Sequence, residues 1–184
     1  MSTHSLHSRP PWRVALAAAA SLAGTAAVAA SPAPLVMVAD ADAPGGAALA
    51  AGDYAAATQR LRAARERPAA SGAALATNRC IAYTLTHELA AARLACDDAL
   101  SAARLERARL PAWGAPSDAR SLAARAYSNR AVLRWLSSDV VGARQDLASA
   151  RALLPDDPLV AGNIAALSGR TLAATAAVRE PSGE

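Results

Sequence analysis

Few side chains in this 184-residue chain could do chemistry, and their spacing argues against it. Cys80 and Cys96 are the only cysteines, and His4, His7 and His87 the only histidines. The cysteines are too far apart for a Cys-x-x-Cys redox motif, and neither thiol has a clear activating neighbour. One histidine beyond the N-terminal stretch, with no converging thiolates or carboxylates, makes no metal site. His87 reads instead as a solvated turn residue. Asp97-Asp98 and Asp156-Asp157 are adjacent in sequence, so their side chains diverge and read as solvated charges, with Asp98 placed to pair with an arginine. The sequence has no Gly-rich phosphate loop, nucleophile elbow or haem attachment motif. A nucleophile, a base and an orienting group cannot be assembled, so no enzyme, cofactor or metal is expected.

What recurs is asparagine in a helical context. Asn163 follows Asn129 by 34 residues, and Asn78 opens a similar stretch earlier in the chain. Arg125–Asp157 reads as a helix, a tight turn and a second helix, closed by Pro155. Self-similarity at this period marks stacked helical hairpins, each burying its apolar face against a neighbour. The composition agrees. Alanine supplies 55 residues, against three Trp, three Tyr and no Phe. It is the strongest helix former but buries little area, so the helices must approach closely. An all-α fold is expected.

All 19 basic residues are arginine, a pattern that fits a GC-rich genome, and the net charge is +4. Losing Arg9 and Arg13 with an export signal would lower it to +2. Without a basic stripe interleaved with aromatics, nucleic-acid binding is not expected. Residues 1–30 have the parts of such a signal: Arg9 and Arg13, the small-apolar run Val14–Ala30, and small residues up to Ser31 and Pro32 for cleavage. The alternative is an uncleaved anchor, for which the run is marginally short. The reading is a protein of the bacterial periplasm or secreted, with no stable membrane insertion of the mature form. Residues 31–46 hold Pro32, Pro34, Pro44, Gly45 and Gly46, a composition that predicts a flexible leader.

The hairpin pattern resembles the tetratricopeptide repeat family. Arg125–Asp157 is similar to one unit through Tyr127, Asn129 and Ala131 on its first helix, Asp139 and Val140 at the turn, Ala143, Leu147 and Ala150 on its second, and Pro155 at the close. Within that unit Ala131 and Ala143 let the two helices approach closely, while Leu147 and Tyr127 fill the wider space between neighbouring hairpins. A second unit carries Asn78, Cys80, Tyr83, Leu89, Ala92, Cys96 and Ala99; a partial first unit carries Gly52-Asp53-Tyr54, then Ala57, Leu61 and Ala64. Arg79 and Arg130 stand where the family usually has Leu, and His87 where the turn usually has Gly. The resemblance implies a short right-handed superhelical array of antiparallel helix hairpins, two to three repeats plus a capping helix. Its divisions would be a partial repeat at 47–67, a repeat with a lengthened second helix at 73–109, a loop at 111–116, a repeat at 117–157, a capping helix at 159–178 and a disordered tail at 179–184. The whole helical domain would span 47–178.

In this family the first helices line a concave groove for a peptide. By resemblance, Asn78, Asn129 and Asn163 face it, with Arg125, Ser128, Val132 and Trp135 beside them on one unit and Thr77, Ile81 and Thr84 on another. An asparagine offers donor and acceptor together, which suits a peptide bond whatever the ligand sequence. A structural bond to an adjacent helix is the alternative for each, and interhelix packing the alternative for Trp135. The partner would be a protein or peptide of unknown identity; a homodimer through the incomplete first repeat is the second hypothesis.

An even cysteine count in an exported chain favours a disulfide. With the hairpin turn near Thr86–Glu88, Cys80 and Cys96 lie opposite each other on the two helices. Two buried free thiols are the alternative, and a thiol-redox function the third.

Overall fold

The alanine-rich segments form seven helices in the computed structural model, which describes residues 33–65, 72–109 and 117–179. These are α1 (Gly46–Ala50), α2 (Tyr54–Arg65), α3 (Ala73–Leu85), α4 (Leu89–Ala108), α5 (Ser117–Leu136), α6 (Val140–Leu153) and α7 (Pro158–Arg179). There is no paired β-strand among the described residues, so the fold is all-α. The expected export signal at 1–30, the loop at 111–116 and residues 180–184 of the expected tail lie outside the described residues.

Short polar side chains start the helices by accepting otherwise unpaired N–H groups. Asp53 accepts from Ala56 N–H at 3.0 Å, Asp139 from Gly142 N–H at 2.8 Å, and Asp157 from Leu159 and Val160 N–H at 2.9 Å each. Gly142 is required for this: a Cβ there would come within 2.2 Å of the Asp139 carboxylate. The start of α3 is capped from a distance, by Glu106 of α4, whose Oε1 accepts from Ala73 N–H at 3.1 Å.

Three helix ends close the same way. Asp53, Glu88 and Asp139 N–H donate to the carbonyls of Ala48, Tyr83 and Arg134 at 2.9, 2.9 and 2.8 Å. The residues before them donate to Leu49, Thr84 and Trp135. This paired bonding requires a left-handed residue at the joint, a role that glycine fills without steric cost. Gly52 fills it at φ 75°, but His87 and Ser138 fill it at φ 61° and 64°. A side chain is strained there by about 1–2 kcal/mol, and glycine returns part of that gain as chain entropy. His87→Gly and Ser138→Gly are each expected to raise stability by about 0.5–1 kcal/mol, read as a higher urea midpoint at unchanged slope.

Neighbouring helices pack in chain order, α3 on α4 and α5 on α6, with α4 against α5 and α7 against both α5 and α6. Ala131 and Ala143 are buried together with Leu147 and Leu167, so small faces do allow close approach. Tyr127 is half-buried between Ala73, Leu100 and Ala123 on one side and Ala150 and Val160 on the other. Arg104 stacks over its ring at 5.4 Å and bonds its hydroxyl. The expected disulfide is present: Cys80 of α3 and Cys96 of α4 are bonded, with Cα atoms 4.6 Å apart.

Candidate functional site

Three fully buried asparagines form a ladder across the first helices of the successive pairs. Asn78 on α3, Asn129 on α5 and Asn163 on α7 are 0, 1 and 1% exposed. Each is bonded twice to a single residue of the chain segment preceding α1. Val36 N–H donates to Asn163 Oδ1 at 2.8 Å, and Asn163 Nδ2 donates back to the Val36 carbonyl at 2.8 Å. Val38 makes the same pair with Asn129 at 2.9 and 3.0 Å, and Asp40 with Asn78 at 2.9 Å in both directions.

Contacts at every second residue require an extended backbone, whose N–H and C=O groups face alternate edges. Residues 33–40, read from composition as part of a flexible leader, therefore run as an ordered extended segment, a single strand without a sheet partner, from α7 past α5 to α3. The correction has a physical cause. Extended chain costs little where a buried surface supplies paired donors and acceptors for its backbone, and glycines and prolines are confined to the ends of this run. Leu35 packs against the cluster of Ala131, Leu147 and Leu167, Met37 against Cys80, Cys96 and Leu133, and Ala39 against Leu49, Leu61 and Ile81. The strand stops at Asp40, whose carboxylate accepts from Asp42 and Ala43 N–H at 3.2 Å each and turns the chain. Gly46 then touches the strand so closely that a Cβ would lie 1.8 Å from the Asp40 carbonyl oxygen.

The ladder reads backbone and ignores side chains. Each asparagine satisfies one whole residue's N–H and C=O, so register comes only from the inward side chains 35, 37 and 39. Two of the three asparagines also use their remaining amide hydrogen: Asn163 Nδ2 reaches Ser128 Oγ at 2.9 Å, and Asn78 Nδ2 reaches the Pro44 carbonyl at 3.2 Å.

The other residues expected at the groove are placed as follows. Val132 and Trp135 line a cavity of about 600 Å³ beside the strand, and Ile81 lines it from α3. Ser128 is buried beneath the strand as the partner of Asn163, while Arg125 is exposed next to it. Thr77 and Thr84 are not brought to the groove. Both are buried; Thr84 bonds the Cys80 carbonyl at 2.7 Å, and Thr77 Oγ1 has no partner among the described residues.

A second polar cluster escaped the sequence reading. Arg130 clasps Asp146 with two bonds of 2.9 and 2.8 Å and reaches Asp97 at 2.7 Å. Arg134 adds a contact to Asp146 at 3.2 Å. Asp146 is 2% exposed, and its hydrogen bonds push the Arg130 guanidinium pKa further up, against the opposing effect of burial. Arg130 thus sits at the centre of an ion-pair cluster joining α4, α5 and α6. No residue pattern near Asp146 marks it in advance, whereas the short continuous apolar run Leu35-Val36-Met37-Val38-Ala39 is compatible with an extended segment, a signal that the nearby prolines obscured.

No group of three or more metal-ligating side chains occurs among the described residues, and none of their helices is long and apolar enough to cross a membrane. No protein-family model, curated protein or solved structure matches this chain.

Proposed function

We propose that this chain is an exported, non-catalytic interaction module of tetratricopeptide-like build that recognises an extended polypeptide on the face formed by α3, α5 and α7. One observation carries the reading: three asparagines, one per helix, each pair with the backbone of every second residue of an extended segment. A protein needing only to fasten its N-terminus has no need of a ladder indifferent to sequence. Bidentate pairing with bare peptide groups is the chemistry of polypeptide recognition. The spacing of the helices sets the step of two residues, and any extended chain meets it. The signal-like sequence of residues 1–30 and the disulfide support a bacterial envelope or extracellular location, since disulfides persist in oxidising compartments.

The test separates the ladder from its tether. In a Leu35→Asp, Met37→Asp protein the strand's inward side chains no longer fit, because each would bury a carboxylate in an apolar site. A labelled peptide of residues 33–43 is expected to bind this variant, and to lose at least about tenfold in affinity when Asn129→Ala is added, since a buried peptide group is left unpaired. Equal binding with and without Asn129 would refute recognition by the ladder. A second reading, favoured by the same pairing being geometrically open to another copy's strand, is self-association by strand exchange. Light scattering that shows a dimer for wild type and a monomer for the double-Asp variant would establish it instead.

A further inference from the structure

The occupied ladder leaves one edge of the strand open. Val36, Val38 and Asp40 turn their N–H and C=O groups to the asparagines, so the intervening residues turn theirs the other way. The N–H and C=O groups of Met37 and Ala39 have no hydrogen-bond partner among the described residues. Along that side lies the cavity of about 600 Å³.

Its far wall is as regular as the ladder. Seven residues beyond Asn78, Asn129 and Asn163 stand Leu85, Leu136 and Arg170, two turns along each helix and about 10 Å further on. Strands lie about 4.8 Å apart, so the distance from the ladder to this row accommodates the resident strand and one more. The wall is unusually exposed for its chemistry: Leu85, Leu136, Tyr54 and Val36 are 37, 47, 39 and 42% exposed and all border the same trough. Clustered exposed apolar side chains mark interaction surfaces. Among the described residues Arg170 is the only charged side chain lining the trough; its Nη2 holds the Ala33 carbonyl at 3.5 Å, and its buried Nε has no partner among them.

We infer that this trough binds a second extended polypeptide strand, which pairs with the free edge at Met37 and Ala39, lays apolar side chains on Leu85 and Leu136, and carries a carboxylate at the Arg170 end. The inference rests on the proposed recognition of extended polypeptide by this face, and adds that the resident strand is the template on which the partner is laid. An open strand edge is a pairing surface in its own right. The trough's apolar walls exclude water from the new hydrogen bonds, and the guanidinium of Arg170 at the trough's end places a positive charge for an anionic oxygen.

The probe is an acetylated heptapeptide of alternating valine and serine with a free terminal carboxylate, titrated into the isotope-labelled protein while amide exchange is followed residue by residue. Binding should slow exchange at Met37 and Ala39 by at least about tenfold while Val36 and Val38 keep their protection. Leu136→Asp, at an exposed position that leaves the fold intact, should weaken binding by at least about tenfold. Arg170→Gln should abolish the preference for the free carboxylate over the same peptide amidated. A peptide N-methylated along its pairing edge should not bind. Binding accompanied by loss of protection at Val36 and Val38 would mean displacement of the resident strand, which overturns this inference and leaves the ladder reading standing. Absence of binding, or equal binding by the methylated peptide, overturns it as well. Protection at Met37 and Ala39 that rises with protein concentration alone would assign the trough to a second copy of this chain, also against the inference.

Discussion

An Asp146→Ala protein is expected to unfold with roughly 3 kcal/mol less stability than wild type. The carboxylate is buried, with only 3% of its side chain exposed, and it faces two guanidinium groups, Arg130 and Arg134. Removing it strands a positive charge whose Arg130 side chain is only 16% exposed, and losing one member of a buried pair costs about 3–5 kcal/mol. The lower end applies, because Arg130 keeps its bond to Asp97 and Arg134 is 31% exposed. Asp97→Ala supplies the contrast. Its carboxylate is 62% exposed, so its loss should cost no more than about 1 kcal/mol. Urea midpoints at constant slope measure both. Similar losses for the two would show that burial of Asp146 contributes nothing.

Opening the disulfide should have an effect of the same size. The Cys80→Ala, Cys96→Ala protein is expected to lose about 3 kcal/mol, the loop-closure value for a bridge of this span, and to melt roughly 10 °C lower. The bond joins α3 to α4 across 16 residues. Its loss should be felt at the strand too, because Met37 packs on the Cys80–Cys96 cluster and Asn78 lies on the same helix as Cys80. Exchange at Asp40 N–H, which Asn78 accepts, should therefore quicken more than exchange at Val36, which is held by α7. A redox function for the pair would instead leave melting unchanged.

The sequence made the helical class and the disulfide readable for simple reasons. Alanine content and apolar periodicity are local properties that survive without knowledge of neighbours. The cysteine pairing followed once the turn at Thr86–Glu88 was located, because a hairpin fixes which residues face each other. The docked strand was not readable from its own composition. Pro34 and Pro44 look like markers of a linker, yet they bound the nine residues 35–43, whose order comes from distant asparagines at positions 78, 129 and 163 and from the core contacts of Leu35, Met37 and Ala39. Nor was the place of Arg130 in the ion pair evident, since its partner Asp146 sits 16 residues away on the next helix and nothing nearby signals burial. Both omissions concern polar groups satisfied across the fold, a class of contact that periodicity does not encode. His87 was legible as a turn residue but not as a left-handed joint, and Ser138, just before the turn read at Asp139 and Val140, was not singled out at all.

The most direct measurement is amide exchange at Val38 in the wild-type protein beside an Asn129→Ala variant. Val38 is centred on the ladder, and among the described residues Asn129 is its only partner in both directions. Reading of an extended backbone by the ladder predicts strong protection of Val38 in the wild type and its loss in the variant, with Val36 and Asp40 still slowed by Asn163 and Asn78. Exchange of Val38 at the rate of a free chain in the wild type would contradict it.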